Sequence, residues 1–178
     1  MGRVVRRRTG VRWVMWGGAV VAVIGLCVGA GWLSEHYREL VWYRFSAVKR
    51  GVLYRSGQLT PSQLEAAIRR YHLRAVVNLT TIAEDPDAFQ REQDVCRRMG
   101  VEFVHLPMVR DPKTSHLQID RFVRLVTERL ERPILVHCQR GVTRTGFVVM
   151  AYRVRVDGWG PDDAAAELHR WGQDHTAY

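Results

Sequence analysis

The chain has 178 residues, 47% of them apolar, enough for one domain with its own core and a short appendage. Its formal net charge of +9 is uneven: nine of 27 Lys and Arg but only two of 18 acidic residues fall within the first 50 positions. The excess belongs to that segment, so the remainder gives no reason to expect a nucleic-acid surface. The three cysteines, Cys27, Cys96 and Cys138, form no CxxC pair and no His/Cys spacing suited to zinc. Neither a disulfide framework nor a metal site is expected, but rather one working thiol and two bystanders.

Residues 1–12 form a basic tail. Trp13 to Leu33 then runs for 21 residues without a charge, and an α-helix needs about 20 such residues to cross a bilayer. This predicts one transmembrane helix at 13–33, with Trp13, Trp16 and Trp32 near its interfaces. Arg3, Arg6, Arg7, Arg8 and Arg12 before it place the N-terminus in the cytoplasm and the domain outside, although Arg38, Arg44, Lys49 and Arg50 blunt the asymmetry. A signal peptide cleaved near Val28-Gly29-Ala30 is the alternative reading. Residues 34–50 read as a juxtamembrane connector, and residues 51–178 as the domain.

Within the domain, Gly51 to Tyr54 reads as a short strand and Arg55 to Gln58 as a turn. Thr60-Pro61-Ser62-Gln63 is a helix start, with Thr60 as cap, Pro61 in the first turn and Gln63 closing a capping box; the helix runs to about Tyr71. Ala75 to Leu79 is a continuous apolar run suited to a doubly covered strand. Helical spacing over 88–99 ends at Gly100, and Val101 to Met108 reads as a third strand. Leu117 to Leu130 reads as a helix burying Leu117, Phe122, Leu125, Val126 and Leu130. After Pro133 come a short strand, Ile134 to Val136, a helix from about Thr145 to Asp157, and a last helix from Pro161 to about Trp171. The alternation predicts an α/β sandwich with a mostly parallel central sheet of four to five strands flanked by helices.

The strongest chemical signal is His137-Cys138-Gln139-Arg140-Gly141-Val142-Thr143-Arg144-Thr145, placed between a strand and a helix. A short glycine-containing loop there can turn its amides toward one point, an anion nest at a helix N-terminus. Gln139, Arg140, Gly141, Val142 and Thr143 would supply that nest, and Cys138 at its base would have a depressed pKa. Arg144 can hold two phosphate oxygens with its planar fork. Thr145 can donate to the sulfur, and His137 can brace the loop. Arg55 is expected to be structural, and Cys96 to be a small core residue rather than a disulfide partner of Cys138.

His137 to Gly146 resembles the signature of protein tyrosine and dual-specificity phosphatases. Tyr54-Arg55-Ser56-Gly57-Gln58 resembles the opening strand of their compact atypical members, and Arg140-Gly141 is similar to the loop of plant and fungal ones. The resemblance spans roughly residues 45–171. It implies a phosphatase-type three-layer sandwich and phosphomonoester hydrolysis through a phosphocysteine, without metal or cofactor. It also implies a general-acid aspartate upstream, for which Asp111 is the choice; Asp120, Asp85 and Asp87 are the alternatives, and a loop cap before Pro112 is the plainer role for Asp111. The implied substrates are phosphotyrosine or phosphoserine/threonine proteins. Inositol phosphates or phosphoinositides are the alternative that Arg140 keeps open, and neutral Gln139, Val142 and Thr143 weigh against polyanions. A non-catalytic phosphate-binding protein is the non-enzymatic alternative.

Overall fold

The structure is a computed structural model describing residues 43–109, 112–129 and 131–172, and of 112–115 and 129 the backbone alone. The basic tail, the Trp13–Leu33 segment, most of the connector, Asp111 and Leu130 lie outside the described residues. No helix among the described residues is long and apolar enough to cross a membrane.

Among the described residues, five strands form one sheet in the order β1-β2-β5-β3-β4. They are β1 (Ser46–Lys49), β2 (Leu53–Ser56), β3 (Ala75–Asn78), β4 (Glu102–His105) and β5 (Ile134–His137). β1 runs antiparallel to β2, and the other pairings are parallel. The helices are α1 (Pro61–Tyr71), α2 (Pro86–Met99), α3 (Pro112–Arg124), α4 (Thr143–Arg155) and α5 (Pro161–Arg170). Successive strand residues point to opposite faces. Val76 and Leu135 meet Leu64, Ala67 and Val95 of α1 and α2, whereas Val77, Ile134 and Val136 meet Phe122 and Val148 of α3 and α4. The result is the expected α/β arrangement of helices on both faces of a mostly parallel sheet. Burying each central Val or Leu stabilises it by roughly 1.5–3 kcal/mol.

The local signals that set these elements are visible. Gln63 N donates to Thr60 Oγ1 at 3.3 Å and Thr60 N to Gln63 Oε1 at 3.0 Å, the reciprocal cap expected of α1. In α2, Asp85 accepts from Ala88 N at 2.8 Å, and Gly100 ends the helix in a left-handed conformation.

The structure departs from the sequence reading at four places. β1 occupies residues assigned to the connector; it is short and becomes a strand by pairing with β2. Arg55 and Ser56 belong to β2 rather than to a turn, because strand pairing with Val136 and His137 outweighs their polarity. β4 ends at His105, since Pro107 has no amide for the ladder, although Leu106 and Met108 remain buried. The helix expected from Leu117 begins at Pro112 and gives way to a π turn at Leu125–Arg129. Phe122, Leu125 and Val126 are buried as expected, but Leu117 is 70% exposed.

Candidate active site

β5 delivers Cys138 at its carboxyl end, and α4 begins five residues later at Thr143. The intervening turn needs Gly141. Its φ is +69°, and a Cβ there would lie 2.6 Å from both Ser56 O and Gly57 N. Those close approaches seat the loop on the end of β2. Gln58 N donates to Gln139 O at 3.0 Å, and Arg55 Nη2 donates to Gly141 O at 2.8 Å. Arg55 is 1% exposed, and its guanidinium lies 4.0 Å from the Trp171 ring centroid. Burial lowers its pKa to about 10, which leaves it charged at neutral pH.

Cys138 is 3% exposed, and its Sγ accepts from Gly141 N at 3.2 Å. Burial alone would disfavour the thiolate. The Thr145 hydroxyl and amide, the Arg144 charge and the Gly141 amide outweigh it and hold the thiol below its ordinary value. Val142 is buried at the cap of α4, Thr143 is half-buried, and Gln139 and Arg140 are exposed at the rim.

Arg144 is positioned from the 3₁₀ turn Ile82–Glu84 that follows β3. Its Nη1 donates to Glu84 Oε1 at 2.6 Å and Leu79 O at 3.3 Å, and its Nη2 to Glu84 Oε2 at 2.7 Å. Those bonds take three of the five guanidinium hydrogens. The remaining two lie along the Nε–Nη2 edge, and the guanidinium as a whole interacts with the Cys138 sulfur. That edge is the one a bound phosphoryl group can take.

His137 faces away from the loop interior. Its Nε2 sits 2.5 Å from Oε1 of Glu92, a 5%-exposed carboxylate on α2. Glu92 Oε2 also accepts from Asn78 Nδ2 at 2.7 Å and Gln58 Nε2 at 3.3 Å.

Of the sequence candidates, Cys138, Arg144, Thr145, His137 and the Gln139–Thr143 loop are brought together. Asp111 lies outside the described residues. Asp120 is in the third turn of α3 and is ion-paired with Arg155. Asp85 is engaged as the α2 cap, and Asp87 is exposed. Cys96 is a free, buried thiol in the core on the opposite face of the sheet from Cys138, pushed up to about 12 by burial.

Glu84 and Glu92 were not singled out in the sequence. Glu84 carries only a capping signal: in Thr81-Ile82-Ala83-Glu84 it closes a capping box, Thr81 N donating to Glu84 Oε1 at 2.9 Å, which says nothing of Arg144. Glu92 carries a further one: it precedes Val95 and Cys96 by three and four residues and so puts a carboxylate on the buried stripe of α2.

A cysteine at the base of an amide loop, with an arginine fork beside it at a helix N-terminus, defines a cysteine-dependent phosphatase site. The model of a family described as a dual-specificity/protein-tyrosine phosphatase fused to NAD+ kinase matches residues 44–175, and the chain belongs to that family. It is similar to the dual specificity protein phosphatase TpbA of Pseudomonas aeruginosa, at 31% identity over 120 residues, covering 67% of this chain and 51% of TpbA. The chain thus spans about half the length of the curated relatives it matches. The crystal structure of P. aeruginosa TpbA aligns with a TM-score of 0.56 at 26% identity, covering 70% of this chain and 72% of that one. The catalytic core of the Saccharomyces cerevisiae PP-IP phosphatase Siw14 aligns with a TM-score of 0.65 at 22% identity, covering 76% and 82%, and shows the shared fold.

Proposed function

We propose that the chain is a phosphomonoester hydrolase, a protein tyrosine or dual-specificity phosphatase working through a phosphocysteine on Cys138. The observation that carries this reading is the arrangement at the sulfur: a Gly141 amide at 3.2 Å and an arginine whose position is set by Glu84. The Cys138 thiolate attacks phosphorus in line, the P–O bond to the leaving group breaks, and Asp111 donates its proton to the departing oxygen. Water then attacks the phosphocysteine, Asp111 takes its proton, and the S–P bond breaks to release phosphate and regenerate the thiolate. The loop amides and the Arg144 edge hold the equatorial oxygens throughout.

The likeness to TpbA, named a dual specificity protein phosphatase, supports phosphoprotein as substrate. Arg140, exposed at the loop rim, supports an inositol phosphate as the second reading. Phosphotyrosine peptides and inositol phosphates assayed side by side, with a Cys138→Ser control, separate them: faster turnover of the peptides is expected, and turnover confined to inositol phosphates would reverse the order. Asp111→Asn is expected to lower kcat on low-acidity leaving groups by about 10²–10⁴-fold, with substrate still bound. Unchanged turnover in that variant moves the acid elsewhere.

The charge-free segment Trp13–Leu33 supports a membrane tether with the N-terminus cytoplasmic and the domain extracytoplasmic. Protease access in sealed membranes tests that orientation.

A further inference from the structure

His137 is completely enclosed, on the end of β5, where its neighbours in register are Ser56 and Asn78. Glu92 reaches it from α2, and the same carboxylate accepts from Asn78 at the end of β3 and from Gln58 after β2. One buried carboxylate therefore ties together three segments that meet under the phosphate loop. Gln58 is itself bonded to that loop through Gln139 O.

A carboxylate so enclosed needs a counter-charge, and the nearest group able to carry one is the His137 imidazole. Buried without a partner, the imidazole would be neutral; beside Glu92 and the Cys138 sulfur it is pushed upward, toward the cation. Around the loop, Glu84 pairs with Arg144, Glu92 with His137, and Arg55 donates to the Gly141 carbonyl, while Arg140 is exposed at the rim. His105, at the end of β4 opposite Asn78, engages the Thr80 carbonyl at 2.9 Å. Asp85 and Arg91, both exposed, line the same cleft as Glu92.

We propose that Glu92 is a positioning residue for the phosphatase site: it keeps His137 protonated, and the imidazolium in turn stabilises the Cys138 thiolate and fixes the base of the loop. The role rests on Cys138 being the nucleophile, yet it is read from the thiol and not from turnover.

The sign of the effect discriminates. If His137 kept its proton without Glu92, removing a nearby negative charge would lower the Cys138 pKa or leave it unmoved. If His137 instead loses its proton, the thiolate loses a neighbouring cation and its pKa rises. The experiment is the pH dependence of Cys138 alkylation by iodoacetamide, resolved from Cys27 and Cys96 by mass spectrometry. It compares the full chain, Glu92→Gln, His137→Gln and the double variant. Glu92→Gln is expected to raise the midpoint by about one unit or more. The double variant is expected to go no further than His137→Gln alone, and Glu92→Asp to recover part of the shift. An unchanged or lowered midpoint in Glu92→Gln overturns the proposal, and so does an additive shift in the double variant.

Imidazole nitrogen resonances of the unsubstituted protein give a reading that does not depend on any variant folding. Both His137 nitrogens are expected to stay protonated above the ordinary value of 6.5, and a neutral ring at pH 7 contradicts the role. An acidic wild-type thiol with a neutral His137 would remove Glu92 from the site while leaving Cys138 as nucleophile.

Discussion

Cys138→Ser is expected to abolish turnover, lowering kcat by on the order of 10⁴-fold or more, while the protein stays folded. The serine hydroxyl fits the space of the 3%-exposed thiol, so little repacking is required. What is lost is the anion. The Thr145 hydroxyl, Arg144 and the Gly141 amide push a thiol toward its ionised form, but an alcohol starts too far above neutrality for the same groups to ionise it. No phosphoenzyme should then be trapped by acid quench, whereas the unsubstituted protein should yield one on a cysteine. Phosphate release by the serine variant within about tenfold of the parent would require another nucleophile.

Arg144→Lys is the second large effect. Each pre-positioned donor to a developing oxyanion contributes roughly 10²–10³-fold, and lysine replaces a two-donor edge with a single point charge. Glu84 and the Leu79 carbonyl hold the rest of the guanidinium, so the free Nε–Nη2 edge is set before substrate arrives. A fall in kcat/KM of about 10²–10⁴-fold is expected, with weakened inhibition by vanadate; a change of less than about threefold would show that the fork makes no difference. The supporting ion pair is robust to acid. Hydrogen bonding by Arg144 lowers the Glu84 carboxyl to about 2 from 4.5, so the contribution of the pair is complete above 4.5 and is lost progressively as pH falls from there through about 2. An acidic limb in the rate above pH 4.5 therefore belongs to another group.

The phosphate loop was legible because its parts are contiguous. A strand, a cysteine, one glycine and an arginine at fixed spacing need no tertiary information, and the structure brings His137 to Thr145 together accordingly. The groups that support the loop come from far along the chain. Glu84 precedes Arg144 by 60 positions, and its partner is decided by how β3 and β5 pair. Glu92 was half legible, since its phase on α2 put a charge among apolar residues, but only the register of β3 and β5 shows what it meets.

Fold errors have the same origin. β1 is four residues long and is specified by β2, not by its own composition. Arg55 looked like turn polarity because the Gly141 carbonyl that satisfies its Nη2 lies 86 residues away. Leu117 matched a helical period but falls on the exposed side of α3.

The most direct test of the account is titration of the Cys138 thiol in the unsubstituted protein, by pH-dependent alkylation with and without bound phosphate. Amides, a hydroxyl and a guanidinium around a buried sulfur predict a midpoint clearly below the ordinary 9.0 and protection by the anion. A midpoint at or above 9.0, indifferent to phosphate, would mean that the loop stabilises neither thiolate nor phosphoryl group.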